Sequence, residues 1–232
     1  GVIRAVRPEE LEVEITYAKI GGGKLKADKG INFPQSRLSI RGLTEKDRED
    51  LAFVVEQADV VNMSFVNEAQ DVQDLIAEID RLGGRDRLGV ILKIETQNGF
   101  NNLPDILLTA MQVYPVGVMI ARGDLAVETG WNNIGRVQEE ILSICQAAHI
   151  PDIWATQVLE NLAKKGIPSR AEITDAAMAQ RAECVMLNKG PYILQAIELL
   201  DSILKEMEPY RDKSAPLTPA LELAGGGDWL IS

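Results

Sequence analysis

The stretch VGVMIARGDLAVE, Val116–Glu128, decides the fold class. Its first five residues, 116–120, are apolar without alternation, which is typical of a strand that is covered on both faces. The segment Ala121-Arg122-Gly123-Asp124 then ends the strand, and a helical turn is expected to begin there. A buried strand that leads through a polar turn into a helix is the repeating unit of α/β proteins with a parallel sheet.

The same strand-then-helix rhythm recurs on both sides of this stretch. Strands are predicted at 59–65, 88–94, 116–120, 152–156 and 184–187, with helices near 69–82, 99–110, 134–149, 158–164 with 169–182, and 192–208. An amphipathic helix with Thr44 as its N-cap and Asp47 three residues on precedes the first strand. Five such units suit either an open doubly wound sheet or most of a (β/α)8 barrel. No G-x-G-x-x-G opens a helix, so nothing favours a dinucleotide site.

The two ends of the chain follow other patterns. In residues 1–40, the segment LEVEITYAKI alternates apolar and polar positions as a half-buried strand does, and Gly21–Gly23 predict a hairpin turn. We therefore predict three parts: a small antiparallel β element at 1–40, the α/β segment at 41–213, and a loosely packed extension at 214–232 that contains prolines and a triple glycine.

Composition excludes several classes of partner. The 232 residues hold 24 Lys and Arg against 35 Asp and Glu, a formal charge of −11, which argues against nucleic acid or an anionic membrane as a partner. No apolar run is long enough to span a membrane, and no signal peptide pattern is found at the N-terminus. Cys145 and Cys184 lie in apolar segments and are predicted to be reduced core thiols of a cytoplasmic protein. Met63, Met119 and Met186 are also assigned to the core.

Candidate catalytic residues gather where predicted strands end. Lys93 and Glu95 are two residues apart, so both project from one face of an extended strand. Asp124 follows the next strand, and Thr156 ends the one after it. Because the active sites of parallel α/β proteins lie at the carboxyl ends of strands, these side chains are expected to share one site.

The chemistry of this set points to a small anion. Glu95 and Asp124 suit Mg²⁺ or Mn²⁺, which takes one or two carboxylates and leaves positions for water and substrate oxygens. Lys93 supplies the compact positive charge that phosphoryl transfer uses, and Gly123 lets the backbone approach a carboxylate or phosphate. A structural role is the alternative for each residue alone: Lys-x-Glu as an ion pair, Thr156 as a cap. The only histidine, His149, is predicted to interact with a helix C-terminus.

Eight segments in order resemble the pyruvate kinase family. They span most of residues 27–187 and read ADKGINFP, LTEKDREDL, NMSFV, LKIETQNGFNNLPDIL, VMIARGDLAVE, IWATQVLE, PSRAEITDAA and CVML. The resemblance implies a (β/α)8 barrel with a β cap domain, and transfer of phosphate from phosphoenolpyruvate to ADP to give pyruvate and ATP.

The resemblance also implies a role for each candidate residue. Lys93 would stabilise the phosphoryl group in transit, and Glu95 and Asp124 would ligate Mg²⁺. Backbone at Ala121, Gly123 and Asp124 would hold the substrate carboxylate, with Thr156 close to the carbon that is protonated. Arg122 is expected to fix the loop or to contact a neighbouring subunit.

Departures from the family pattern limit what the chain is expected to do alone. Residues 1–40 would be the second half of the cap, and the five strands would be strands four to eight, so the family's K⁺ ligands would lie outside the chain. Asn67 stands where arginine is usual, Thr96 where asparagine is usual, and Asn188-Lys189 replace the usual last loop. We therefore expect a fragment of a longer enzyme that is inactive in isolation. A homo-oligomer that covers the open sheet edge is a further alternative.

Two other functions remain open at this point. A Mg²⁺-dependent lyase or aldolase of the phosphoenolpyruvate/pyruvate barrel group would use the same pair of carboxylates. A non-catalytic relative that binds phosphoenolpyruvate would account for the altered loop at Asn188.

Overall fold

The computed structural model describes residues 1–18, 20–24, 31–34, 42–113 and 115–210. Contacts within the chain divide it into two compact units, Gly1–Asn32 and Phe33–Ser232. The expected extension at 214–232 and the expected boundary at residue 40 both fall outside the described residues. The division into three parts therefore stays a prediction.

The first unit contains an antiparallel hairpin of β1, Val2–Arg7, and β2, Glu10–Glu14. The predicted strand exists, but every residue of β2 is exposed, so the expected alternation of burial is absent. Among the described residues of this unit, no second layer covers a face of the hairpin. The chain turns between β1 and β2 at Pro8–Glu9. Gly21 and Gly22 also adopt positive φ, 88° and 79°, as turn glycines do.

The second unit begins with α1, Glu45–Gln57, whose N-terminus is capped as predicted. The Thr44 hydroxyl accepts from the Asp47 amide at 3.1 Å, and the Asp47 carboxylate accepts from the Thr44 amide at 2.8 Å. This reciprocal pair satisfies two amides at the helix start. The helix buries Leu51 and Val55.

Five strand–helix units follow, close to their predicted positions. The strands are β3 Val60–Met63, β4 Gly89–Ile94, β5 Val116–Ala121, β6 Asp152–Val158 and β7 Cys184–Leu187. The helices are α2 Ala69–Arg81, α3 Gln97–Asn101, α4 Leu103–Ala110, α5 Arg122–Thr129, α6 Ile134–Ala148, α7 Glu160–Lys165, α8 Arg170–Met178 and α9 Ile193–Met207. Short 3₁₀ turns follow α8 and α9 at Ala179–Arg181 and Glu208–Tyr210.

Two helices differ from the sequence-based expectation. The helix predicted near 99–110 is divided into α3 and α4 at Asn102, since Pro104 has no amide hydrogen to continue the ladder of α3. The helical turn expected after β5 is an eight-residue helix, α5, that starts directly at Arg122.

The order of the strands decides between the two candidate architectures. All four pairings are parallel, and the order is β3-β4-β5-β6-β7, so each strand lies beside its predecessor in sequence. A doubly wound sheet reverses its order at a switch point, whereas a (β/α)8 barrel does not. The sheet is therefore half of a barrel.

The core lies between the sheet and its helices. Leu92, Ile94, Val118 and Ile120 are fully buried, as is Trp154. Val90, Val116 and most apolar residues of α2, α4 and α6 join them in one cluster.

Burial at β7 differs from the prediction. Cys145, Met63 and Met119 are buried as predicted, but Cys184 and Met186 are exposed. Both exposed residues lie on β7, the last strand of the described sheet, whose side chains alternate between exposed and partly buried. Both cysteines are free thiols. None of the helices in the described part of the chain is long and apolar enough to cross a membrane.

Candidate active site at the carboxyl ends of the strands

The register of the sheet aligns the strand ends that carry the candidate residues. Ile94 pairs with Ile120, and Ala121 pairs with Ala155. Glu95 therefore follows its strand level with Ala121, and Thr156 lies one residue beyond Ala155. The carboxyl ends of β4, β5 and β6 thus present the predicted residues along one edge of the sheet.

Lys93 and Glu95 form an ion pair at the end of β4. The Lys93 Nζ atom lies 3.0 Å from Glu95 Oε1 and donates a hydrogen bond to Ser64 Oγ at 2.9 Å. The Glu95 side chain is only 4% exposed, while that of Lys93 is 24% exposed. Their spacing of two residues placed them on one face, as predicted.

The second oxygen of Glu95 is also held. Glu95 Oε2 accepts the backbone N–H of Phe65 at 2.6 Å. A buried carboxylate is costly unless it is paired and hydrogen-bonded, and here an ammonium and an amide provide both. Sequence reasoning did not identify Ser64 and Phe65 as site residues. Their position was the one signal that could have identified them, because they follow β3 directly as Glu95 follows β4.

Gly123 and Thr156 are neighbours. A Cβ atom added to Gly123 would lie 3.2 Å from Thr156 Oγ1, which is tighter than most Cβ contacts. Asp124 occupies the first turn of α5 and is partly buried. The first amides of a helix lack helical partners and carry partial positive charge, so the backbone from Ala121 to Asp124 suits a carboxylate.

Arg122 fixes the end of β6, which was one of the roles expected for it. Its guanidinium lies 4.3 Å from the centroid of the Trp154 ring. Its Nε donates to the carbonyl of Ala155 at 2.9 Å, and its Nη2 to the carbonyl of Thr156 at 2.8 Å. Nη2 also donates to Asp175 Oδ2 at 2.9 Å, and the arginine side chain is 14% exposed. These contacts join the start of α5 to the end of β6 and to α8.

The oxygen ligands at this edge suit a hard divalent cation. Glu95 and Asp124 contribute carboxylates and no thiol or imidazole belongs to the predicted set, which is the preference of Mg²⁺ and Mn²⁺. Within the described ranges, no group of three or more His, Cys, Asp or Glu side chains could form a metal site. Two carboxylates plus water and substrate oxygens satisfy Mg²⁺ without a third protein carboxylate.

Two other features noted in the sequence lie apart from these residues. His149 is the C-cap of α6 in the left-handed conformation, and it precedes β6, so it belongs to the opposite edge of the sheet. Asn188 lies in the loop after β7 that differs from the family pattern, and it donates a hydrogen bond to Glu160 Oε1 of α7 at 3.0 Å. The pKa of Glu160 is lowered, chiefly by its hydrogen bond with Lys164.

Comparison with known proteins agrees with the fold. The family model described as the pyruvate kinase barrel domain matches residues 2–197. The chain belongs to the pyruvate kinase family. "Pyruvate kinase 2" of Candida glabrata is 37% identical over 204 residues, which are 84% of this chain and 38% of the relative. For the "Pyruvate kinase" of Agrobacterium vitis the values are 36% identity over 218 residues, 91% of this chain and 43% of the relative.

This pyruvate kinase family chain is much shorter than the relatives it matches. The "Pyruvate kinase" of Clostridium perfringens is 33% identical over 90% of this chain, yet the match covers only 44% of that relative. For the relative from Hypocrea jecorina the covered share is 34%. The chain therefore spans less than half the length of these proteins.

Proposed function

We propose that this chain carries the phosphoryl-transfer centre of a pyruvate kinase. In this reaction the bond between phosphorus and the enol oxygen of phosphoenolpyruvate breaks, a terminal oxygen of ADP takes the phosphoryl group, and the enolate carbon takes a proton to give pyruvate. The observation that carries the proposal is the pairing of partly exposed Lys93 with buried Glu95 at the carboxyl edge of a sheet within the residues that match the pyruvate kinase barrel domain. A coupled ammonium and carboxylate at this position suits phosphoryl transfer.

Each residue has a distinct role in the proposal. Glu95 and Asp124 would hold Mg²⁺ or Mn²⁺, which supplies Lewis-acid stabilisation of negative charge on substrate oxygens. Lys93 offsets charge on the phosphoryl group as its bond to the enol oxygen lengthens. Backbone amides from Ala121 to Asp124 bind the substrate carboxylate, and this role is supported by the position of these amides at the start of α5.

Thr156 is assigned to the proton-transfer side of the substrate. Its hydroxyl lies against Gly123, so a carboxylate bound at Gly123 would bring the enolate carbon close to this hydroxyl. Arg122 holds the backbone of Thr156 in place through the carbonyl contact and does not itself touch the reacting atoms.

The wider properties of the protein belong to the same proposal. We assign phosphoenolpyruvate/pyruvate and ADP/ATP as partners, a K⁺ requirement met by residues outside this chain, and a cytoplasmic location. A homo-oligomer that covers the open sheet edge stays an alternative. We expect the isolated 232-residue chain to be inactive, because it matches less than half of each of these relatives.

One assay distinguishes this function from its alternatives. The full-length protein is incubated with phosphoenolpyruvate, ADP, Mg²⁺ and K⁺, and pyruvate is followed by a coupled enzyme. Pyruvate that depends on ADP supports the proposal. Absence of pyruvate, with phosphoenolpyruvate still bound in calorimetry, would refute it in favour of a non-catalytic binding protein. Pyruvate released without ADP, or from a 2-keto-acid aldol, would identify a lyase or aldolase instead.

A further inference from the structure

A polar cluster centred on Asn67 lies beside the Glu95 carboxylate. The Asn67 side chain uses both of its ends: Oδ1 accepts from the Thr96 hydroxyl at 2.6 Å, and Nδ2 donates to the Phe65 carbonyl at 2.7 Å. Its backbone carbonyl accepts from the Asn102 side chain at 2.8 Å and from the Asn98 side chain at 3.2 Å. The loop after β3 is thereby attached to the loop and helices after β4.

Asn67 contacts the Glu95 carboxylate indirectly, through one intervening residue, Phe65. Phe65 has a positive φ of 53°, an unfavourable conformation for a residue other than glycine, and the bond from Asn67 holds its carbonyl. The amide of the same Phe65 donates to Glu95 Oε2 at 2.6 Å. Asn67 therefore acts on Glu95 through the orientation of a single residue.

Thr96 closes the cluster from the other side. It follows Glu95 directly, donates its hydroxyl hydrogen to Asn67, and accepts the amide of Gly99 at the start of α3 at 3.0 Å. The two loops also approach closely without side chains, because a Cβ added to Gly99 would lie 2.2 Å from the carbonyl oxygen of Val66. Asn67 therefore holds two neighbours of the Glu95 carboxylate: Phe65 through its carbonyl and Thr96 through its hydroxyl.

We propose that Asn67 and Thr96 are positioning residues that orient Glu95 for a divalent cation. This inference rests on the proposed function, since it assumes that Glu95 is a metal ligand. Groups that hold a ligand from behind commonly change metal affinity by about 10 to 100-fold when they are removed. Neither residue touches the substrate or the metal in this proposal.

The experiment measures Mn²⁺ affinity of the full-length protein by calorimetric titration, without substrate. Asn67→Ala and Thr96→Val are each expected to weaken Mn²⁺ binding about 10-fold. Thr96→Ser retains the hydroxyl and is expected to bind normally. Asn101→Ala is the matched control, because this asparagine of α3 accepts only an exposed bond from Gln97 at 2.8 Å. Its affinity should equal that of the unmodified protein.

A double variant and the comparison of the two single variants separate positioning from general damage. The double variant Asn67→Ala/Thr96→Val should weaken Mn²⁺ binding by less than the product of the two single effects, because both substitutions remove the bond between Asn67 and Thr96. Asn67→Ala leaves the Thr96 cap of α3 in place, so a loss of affinity in that variant cannot come from loss of the cap. At saturating Mn²⁺, turnover should fall less than the affinity does.

The outcomes distinguish this inference from the proposed function. If Glu95→Gln binds Mn²⁺ normally, the metal role of Glu95 is wrong and the inference fails with it. If Glu95→Gln weakens binding while Asn67→Ala and Thr96→Val match Asn101→Ala, only the inference is overturned. Failure of Thr96→Ser to restore affinity would also overturn it.

Discussion

Replacing Lys93 by methionine tests the charge at the centre of the proposed site. The substitution keeps the apolar stem and removes the ammonium that lies 3.0 Å from Glu95 Oε1. Loss of one preorganised electrostatic group in an active site lowers turnover about 10² to 10³-fold. We therefore expect a loss of that size in the coupled assay of the full-length protein. Normal turnover would show that Lys93 does not act on the phosphoryl group.

The same substitution has a second, independent consequence for stability. Glu95 is 4% exposed and would keep only the Phe65 amide as a partner. Breaking a buried pair costs about 3 to 5 kcal/mol, and the partial exposure of Lys93 reduces this to roughly 2 to 3 kcal/mol. Denaturant unfolding without metal should show this loss, and added Mn²⁺ should restore much of it, because a cation then neutralises the carboxylate.

The matched control is Lys205→Met on α9. This lysine forms an exposed pair with Asp201 at 2.7 Å, and such pairs contribute about 0 to 1 kcal/mol. Turnover and unfolding of the control should be close to those of the unmodified protein. If both variants lost the same unfolding free energy, Lys93 would not be the group that compensates the buried charge of Glu95.

Three further substitutions test the framework around the site. Burial, and secondly a nearby glutamate, raise the pKa of Asp152 from 3.8 to about 7. The contribution of this carboxyl group to the unfolding free energy is therefore present below pH 4 and is lost as the pH rises through 7. Asp152→Asn should match the unmodified protein in unfolding free energy at pH 4 and exceed it by about 2 to 4 kcal/mol at pH 8; equal stabilities at pH 8 would refute a raised pKa. Arg122→Lys cannot contact both carbonyls and the carboxylate at once, so turnover should fall about 10-fold or more in the coupled assay, with Mn²⁺ affinity unchanged; unchanged turnover would exclude a role in holding Thr156. Gly99→Ala places a Cβ 2.2 Å from a backbone carbonyl and should destabilise the fold by about 1 to 3 kcal/mol in urea unfolding, whereas Gly135→Ala, with no atom within 4 Å, should not destabilise it; equal effects would disprove the close approach of the two loops.

The sheet could be predicted from sequence because its signal is local. Uninterrupted apolar runs such as 116–120 mark strands that are covered on both faces, and each of the five predicted strands is present. Strand order was not predictable at that stage, because doubly wound and barrel folds share the same local pattern. Pro104 was available as a signal for the break between α3 and α4, but apolar periodicity continues across it.

The candidate site was predictable to the extent that its residues lie at strand ends. Lys93 and Glu95 were found because their spacing and polarity conflict with a buried strand. The partners of Glu95 were not found, because Phe65 acts through its backbone amide and no side-chain pattern encodes that contact. The bond between Asn67 and Thr96 likewise joins residues 29 apart in sequence. Asn67 and Thr96 could each be recognised in the sequence as departures from the family pattern, but their contact depends on the tertiary structure.

Two sets of side-chain contacts lie at the strand ends. Ser64, Phe65, Lys93 and Glu95 connect β3 to β4. Arg122 connects the start of α5, after β5, to the end of β6.

Glu95 belongs to the first set, and Asp124 lies in the first turn of α5, two residues after Arg122. In the proposed function, a bound cation would connect the end of β4 to the start of α5, and the groups that orient Glu95 determine how well its carboxylate reaches the cation. This arrangement explains why substitutions at Asn67 and at Arg122 should have different effects. Substitution of Asn67 changes how tightly the cation is held, whereas substitution of Arg122 changes how fast the bound substrate reacts.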